Sequence, residues 1–108
     1  MSIFCFDLDN TICFTSGTNY ESSIPDKDMI QAINSAYHSG HRIIISTARG
    51  SVTGIDYYEL TRNQLEKWGL NYHELYVGSK IHADYYIDDK NLTIDKFKII
   101  YNHDRFFI

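Results

Sequence analysis

Apolar residues along the chain fall in short runs separated by stretches of helical period, and that alternation predicts the elements. IFCF at Ile3–Phe6 and III at Ile43–Ile45 are strand-sized. The second is continuous and β-branched, as in strands covered on both faces. Between them, Pro25 with Asp26 and Asp28 predicts a helix start, with proline in the first turn and acids near the positive end of the dipole. Met29, Ile30, Ile33, Ala36 and Tyr37 keep the three-four spacing, and Gly40 is the stop. Thr47 to Ile55 contains two glycines and reads as a loop leaving the second strand. Asp56 with Glu59 resembles a capping box opening a second helix, with Tyr58, Leu65 and Trp68 on one face and Gly69 at its end. Leu75–Val77 and Tyr85–Ile87 are two further short strands, and Ile12–Ile24, polar and without either period, reads as a loop or short hairpin flap. The order strand, flap, helix, strand, loop, helix, strand, strand predicts an α/β domain with a mostly parallel sheet. Leu92–Lys98 suits a short helix, but the pattern assigns no role to the tail from 92 to 108.

Composition narrows the picture. A chain of 108 residues reads as one domain, 1–108, with no room for a second, capping domain. The formal charge is −4 and the lysines and arginines are scattered, so no nucleic-acid partner is expected. No apolar run reaches membrane length and nothing resembles a signal peptide, so the expected location is the cytoplasm. Cys5 and Cys13 have no CxxC spacing and read as structural thiols. The five histidines show no zinc-ligand spacing.

The chemistry begins where the first apolar run ends. Asp7 and Asp9 lie one residue apart, so both would face the same way if extended structure continued through Leu8. Two carboxylates so close repel, and a hard divalent cation with oxygen ligands removes that cost. Asp88 and Asp89, directly after YYI, form a second acidic pair at another strand end. Ligands of open α/β sheets bind at the carboxyl ends of the strands.

DLDNT after an apolar strand resembles the first motif of the haloacid dehalogenase superfamily, and candidates for its other motifs follow in order: Thr47 after IIIS, Lys80 in GSK, and Asp88-Asp89. The resemblance runs from Ile3 to about Lys90. It implies a three-layer, Rossmann-like domain and a magnesium-dependent phosphatase acting on a small phosphomonoester. FDLDNT, the polar flap, STARG, WG and YIDDK together are similar to small, capless hydrolases of capsule or surface-polysaccharide biosynthesis, which points to a sugar phosphate. In that reading Asp7 is the nucleophile and Asp9 the acid and base. Thr47 donates a hydrogen bond to the phosphoryl group, and Lys80 places a positive charge beside it. Mg2+ is held by Asp7, the Asp9 carbonyl and a carboxylate of Asp88 or Asp89, with Asp88 preferred.

Arg49, two residues after Thr47, is expected either to grip the substrate or to close its loop by a salt bridge. Asn10 is counted with it as substrate-facing. The GSK spacing departs from the GKP common in related small phosphatases, which makes Lys80 the least secure of the four. Substrate selection would rest on the flap, the loop after Thr47 or a neighbouring subunit, so a homo-oligomer stays open. Other readings compete: a phosphoacceptor signalling domain, which the order of motifs disfavours, a silent member that binds phosphorylated ligands or a partner, and a phosphatase that acts on a macromolecule through an open site.

Overall fold

The computed structural model describes residues 1–78 and the backbone of 85–87; Lys80, Asp88, Asp89 and the tail from 92 to 108 lie outside the described residues. Strand β1 (Ile3–Phe6) is central and β4 (Arg42–Thr47) lies parallel to it, Phe4 opposite Ile43 and Phe6 opposite Ile45. On its other side β6 (Tyr85–Ile87) is also parallel, with Ile87 level with Phe6. Strand β5 (Glu74–Val77) completes the order β5-β4-β1-β6, with Thr47 opposite Val77. Among the described residues, all the pairings within this four-stranded sheet are parallel, as the alternating pattern predicts.

The faces of the sheet follow the period of two. Phe4, Phe6, Ile43 and Ile45 join Leu8, Met29, Ile33 and Leu65 in one core, while Cys5 and Ile44 pack with Ile3 and Tyr76 on the opposite face. Leu8 is fully buried in the same core as Phe4 and Phe6, so the alternation persists past the end of β1. Helix α1 (Lys27–His38) supplies Met29, Ile30, Ala32, Ile33 and Ala36 to this core. The second helical layer of the expected three-layer arrangement is not among the described residues.

Three local expectations are corrected. Pro25 is the last residue of a two-residue strand, β3 (Ile24–Pro25), which pairs antiparallel with β2 (Cys13–Phe14). The cap of α1 is Asp26, whose carboxylate accepts from the Met29 amide at 3.2 Å. Proline therefore stands before the cap, and the flap is a hairpin with a 3-10 turn at Tyr20–Ser22 between its strands. Second, Asp56 accepts from the Tyr58 amide at 2.9 Å, a local turn that starts α2 (Tyr58–Lys67) two residues later, while Glu59 pairs with Arg62. No reciprocal capping box forms, because each acid has a nearer partner. Third, the buried face of α2 is Thr61, Gln64 and Leu65, and Tyr58 is exposed.

The loop from 48 to 57 is shaped by Gly50, at φ 81°, where an added Cβ would run into the Ile55 carbonyl oxygen. Gly54 has a similar φ of 77° but open space around it. Gly50→Ala therefore combines backbone strain with a clash against main chain, and Gly54→Ala carries strain alone. Thermal denaturation should show Gly50→Ala losing more than about 1 kcal/mol and clearly more than Gly54→Ala; equal losses would mean that the close approach to Ile55 is unimportant.

Candidate active site

Directly after β1 the chain makes a tight turn. The Leu8 carbonyl accepts the amides of Thr11, Ile12 and Cys13 at 3.2, 2.8 and 3.3 Å, and Asn10 takes φ 62°. Asparagine is among the few residues with a side chain that tolerate this left-handed conformation. Its Oδ1 also accepts from the Thr15 amide at 3.2 Å. Asn10, expected to face the substrate, thus engages the backbone of the flap with its carbonyl oxygen. The turn delivers Asp7 and Asp9 at the carboxyl end of the central strand.

Asp9 meets Arg49 in a bidentate pair. Arg49 Nε donates to Asp9 Oδ2 at 3.0 Å and Nη2 to Oδ1 at 2.7 Å. The Arg49 side chain has no exposed surface, whereas that of Asp9 keeps 21%. The remaining guanidinium hydrogens also have acceptors: Nη1 donates to Thr61 Oγ1 at 3.2 Å and Gln64 Oε1 at 2.7 Å, and Nη2 to Ser23 Oγ at 3.3 Å. The ring of Tyr20 lies against the guanidinium, 4.6 Å from its centre. An arginine carries five N–H donors, and each of these five finds a partner. Of the two expectations for Arg49, the geometry places the salt bridge; the guanidinium has no donor left over for a substrate.

The flap adds a third contact to the carboxylate. Thr15 Oγ1 donates to Asp9 Oδ1 at 2.6 Å and lies 2.7 Å from Ser23 Oγ, while Cys13 Sγ is 3.7 Å from Oδ1. Burial by itself would push the Asp9 carboxyl up. Hydrogen bonds from Arg49 and Thr15, with the Arg49 charge, outweigh it and hold the carboxyl below its ordinary value. Burial, with the Asp7 charge adding to it, pushes the Cys5 thiol up to about 11, so this cysteine stays a protonated core residue near Asp7.

Thr47 is the last residue of β4 and not the first of the loop. It is buried, and its Oγ1 accepts from the Arg49 amide at 3.2 Å while its carbonyl accepts from Gly78. Accepting from Arg49 fixes the oxygen and leaves the hydroxyl hydrogen for another acceptor. Hydrogen bonds thus join Asp9 and Thr47 through Arg49, and Asp7 directly follows β1. Among the described residues no group of three His, Cys, Asp or Glu side chains could hold a metal ion; the predicted set draws on Asp88 and Asp89, which follow β6.

Sequence reasoning passed over Thr15, Ser23, Thr61 and Gln64. For Thr61 and Gln64 a sign was present: they sit three residues apart with Leu65 on one face of a helix, where polar residues need a buried partner. Thr15 and Ser23 carried none, being two of many polar flap residues.

Asp9→Asn keeps size but leaves a buried guanidinium without its counter-charge. Chemical denaturation at neutral pH should show a loss of about 2–3 kcal/mol. The native carboxyl sits below its unfolded value, so its contribution is complete above the ordinary carboxylate range and lost as pH falls through the native value. The gap between wild type and Asp9→Asn should accordingly close on acidification. A gap that stays constant with pH would show that the charge of Asp9 contributes nothing.

No curated protein matches the chain. Among solved structures, that of an MCSG target from Vibrio cholerae has a TM-score of 0.73 and 28% identity, covering 91% of this chain and 88% of its own. The D,D-heptose 1,7-bisphosphate phosphatase from Burkholderia thailandensis shares the fold at a TM-score of 0.59 with 12% identity, over 82% of this chain and 66% of its own. The haloacid dehalogenase-like hydrolase family matches residues 4–105, a span that takes in Asp7, Asp9, Thr47 and Arg49 together, and the chain belongs to that family.

Proposed function

We propose that the protein is a capless, magnesium-dependent phosphatase that hydrolyses a small phosphomonoester, with a sugar phosphate as the favoured class. The observation that carries this reading is the convergence of three adjacent parallel strand ends. β1 leads into Asp7, β4 ends in Thr47, and β6, whose Ile87 is level with Phe6, leads in sequence into Asp88 and Asp89. Hard carboxylate oxygens from neighbouring strands suit magnesium by donor type. Asp9 fits the assigned division of labour, since its carboxylate is taken up by Arg49 and Thr15 and only its carbonyl would face the ion. Bound magnesium would neutralise part of the charge on the nucleophile and the phosphoryl oxygens.

In the first step a carboxylate oxygen of Asp7 attacks phosphorus and the bond to the ester oxygen breaks; the departing oxygen takes its electron pair and a proton from Asp9. The Thr47 hydroxyl donates to a phosphoryl oxygen, and Lys80 adds its charge. In the second step Asp9 takes a proton from water, the water oxygen attacks phosphorus, and the bond to Asp7 breaks to release phosphate. The ionised Asp9 of the free protein is the form needed for this second step. Entry of an anionic ester works against the Arg49 charge and favours protonation for the first.

A small sugar phosphate accords with the neighbour described as a heptose bisphosphate phosphatase; among the described residues the flap and the 48–57 loop are segments that could select among substrates, alone or with a neighbouring subunit. A panel of phosphorylated metabolites with magnesium tests the reading. Activity should vanish with a chelator, return with magnesium and be inhibited by calcium, whose longer bonds and higher coordination number disturb in-line geometry. Asp7→Asn should lose on the order of 10³-fold or more in kcat while remaining folded. Full activity in excess chelator, or turnover retained by Asp7→Asn, would refute the assignment; a phosphopeptide or polynucleotide end outperforming every sugar phosphate would move the substrate to a macromolecule.

A further inference from the structure

We propose that Arg49 is a positioning residue for the Asp9 carboxylate, seated by Gln64 and Thr61 of α2, and that Asp9 Oδ2 is the oxygen that exchanges the proton; this rests on the reading of Asp9 as acid and base. The guanidinium is planar and its Nε and Nη2 hydrogens meet both oxygens of Asp9, so the fork sets the plane of the carboxylate as well as its place. A point charge would supply attraction without that orientation. The opposite edge of the guanidinium is held by Thr61 Oγ1 and Gln64 Oε1, both on α2 and both buried. The plane of Asp9 is therefore referred to a helix and not to the mobile end of a side chain.

The two carboxylate oxygens are unequal. Oδ1 receives Arg49 Nη2 at 2.7 Å and Thr15 Oγ1 at 2.6 Å, with Cys13 Sγ at 3.7 Å, which fills its acceptor capacity. Oδ2 receives Arg49 Nε alone at 3.0 Å among the described residues. A carboxylate oxygen can accept about two hydrogen bonds, so Oδ2 keeps a lone pair for a proton in transit.

Gln64 extends the arrangement to the flap. Its Nε2 donates to the Tyr20 carbonyl at 2.6 Å while its Oε1 holds Arg49, and the Tyr20 ring covers the guanidinium and meets Tyr57 edge-on. One amide thus joins the flap backbone to the arginine that orients Asp9. A purely structural role is a weak explanation for such an assembly, because a buried ion pair can often be replaced by apolar residues without loss of stability.

Positioning of a proton donor predicts a leaving-group signature. Departure of an alkoxide needs the Asp9 proton, whereas p-nitrophenolate leaves without help, and kcat/KM covers only the steps up to that departure. Arg49→Lys keeps the charge but removes the fork, and Gln64→Met keeps the bulk but removes both hydrogen bonds. In both, the ratio of kcat/KM for an alkyl phosphate to that for p-nitrophenyl phosphate should fall, by about tenfold or more for Arg49→Lys and less for Gln64→Met, within the roughly 10²-fold that small misplacements cost. Thr61→Val provides a milder third variant should either fail to fold. An equal loss on both esters would overturn the proposal.

A second readout does not depend on turnover. In 15N-labelled wild-type protein the Arg49 Nε–H should exchange slowly with water, and its resonance should shift in Asp9→Asn and in Gln64→Met. Fast exchange, or a resonance indifferent to both substitutions, would overturn the positioning role. If wild type hydrolysed neither ester, the phosphatase reading would fail by itself, and the Arg49 resonance would still decide whether the arginine is seated as proposed.

Discussion

A guanidinium removed from water has to find acceptors for all of its N–H groups, and the arrangement around Arg49 follows from that demand. Its partners come from the turn after β1, from the flap and from α2, the farthest of them 40 residues from Arg49 in sequence. Polar residues that would otherwise be misplaced, such as Thr61 and Gln64 on the inner face of a helix, become necessary once the charge is buried. Serine and threonine in the flap have the same explanation, since they complete the shell around the Arg49–Asp9 pair.

This constraint acts on a scaffold that already directs chain ends to one edge. Parallel strands all point their carboxyl ends the same way, so β1, β4 and β6 deliver Asp7, Thr47 and the approach to Asp88 at the same side of the sheet. The apolar alternation that buries Phe4, Phe6 and Leu8 holds that edge in place, and the core formed with α1 and Leu65 makes it rigid. The active edge thus inherits its precision from packing two or three residues away.

The flap links the two. Its hairpin pairs Cys13 with Pro25 and Phe14 with Ile24, and the Asp26 amide donates to the Ile12 carbonyl at 2.8 Å, tying the entry of α1 to the start of the flap. Phe14 and Ile24 remain exposed on its outer face, while its inner side bears Thr15 and Ser23 toward Asp9 and Arg49. In the proposed phosphatase the same short segment would stand over the substrate and hold the acid-base carboxylate.

Much of this was legible in the sequence because it depends on local periodicity. Strand-length apolar runs, a three-four helical stripe and the glycine stops were enough for the element order, the parallel sheet and the placing of Asp7 and Asp9 after the first strand, whereas Thr47, read as the start of a loop, closes β4. Local pattern also misled where neighbouring groups competed: Asp56 serves the Tyr58 amide and Glu59 serves Arg62, so the expected capping box does not form. The partner of Arg49 could only be narrowed to two classes from sequence, because a positive charge can meet a ligand or an internal acid equally well. Tertiary structure decided it, since only the packing of α2 and the flap against the turn after β1 removes water from the guanidinium and brings five acceptors to it. The identity of single elements follows from neighbours in sequence, whereas the partner of a buried charge is chosen by whatever the fold brings within about 3 Å.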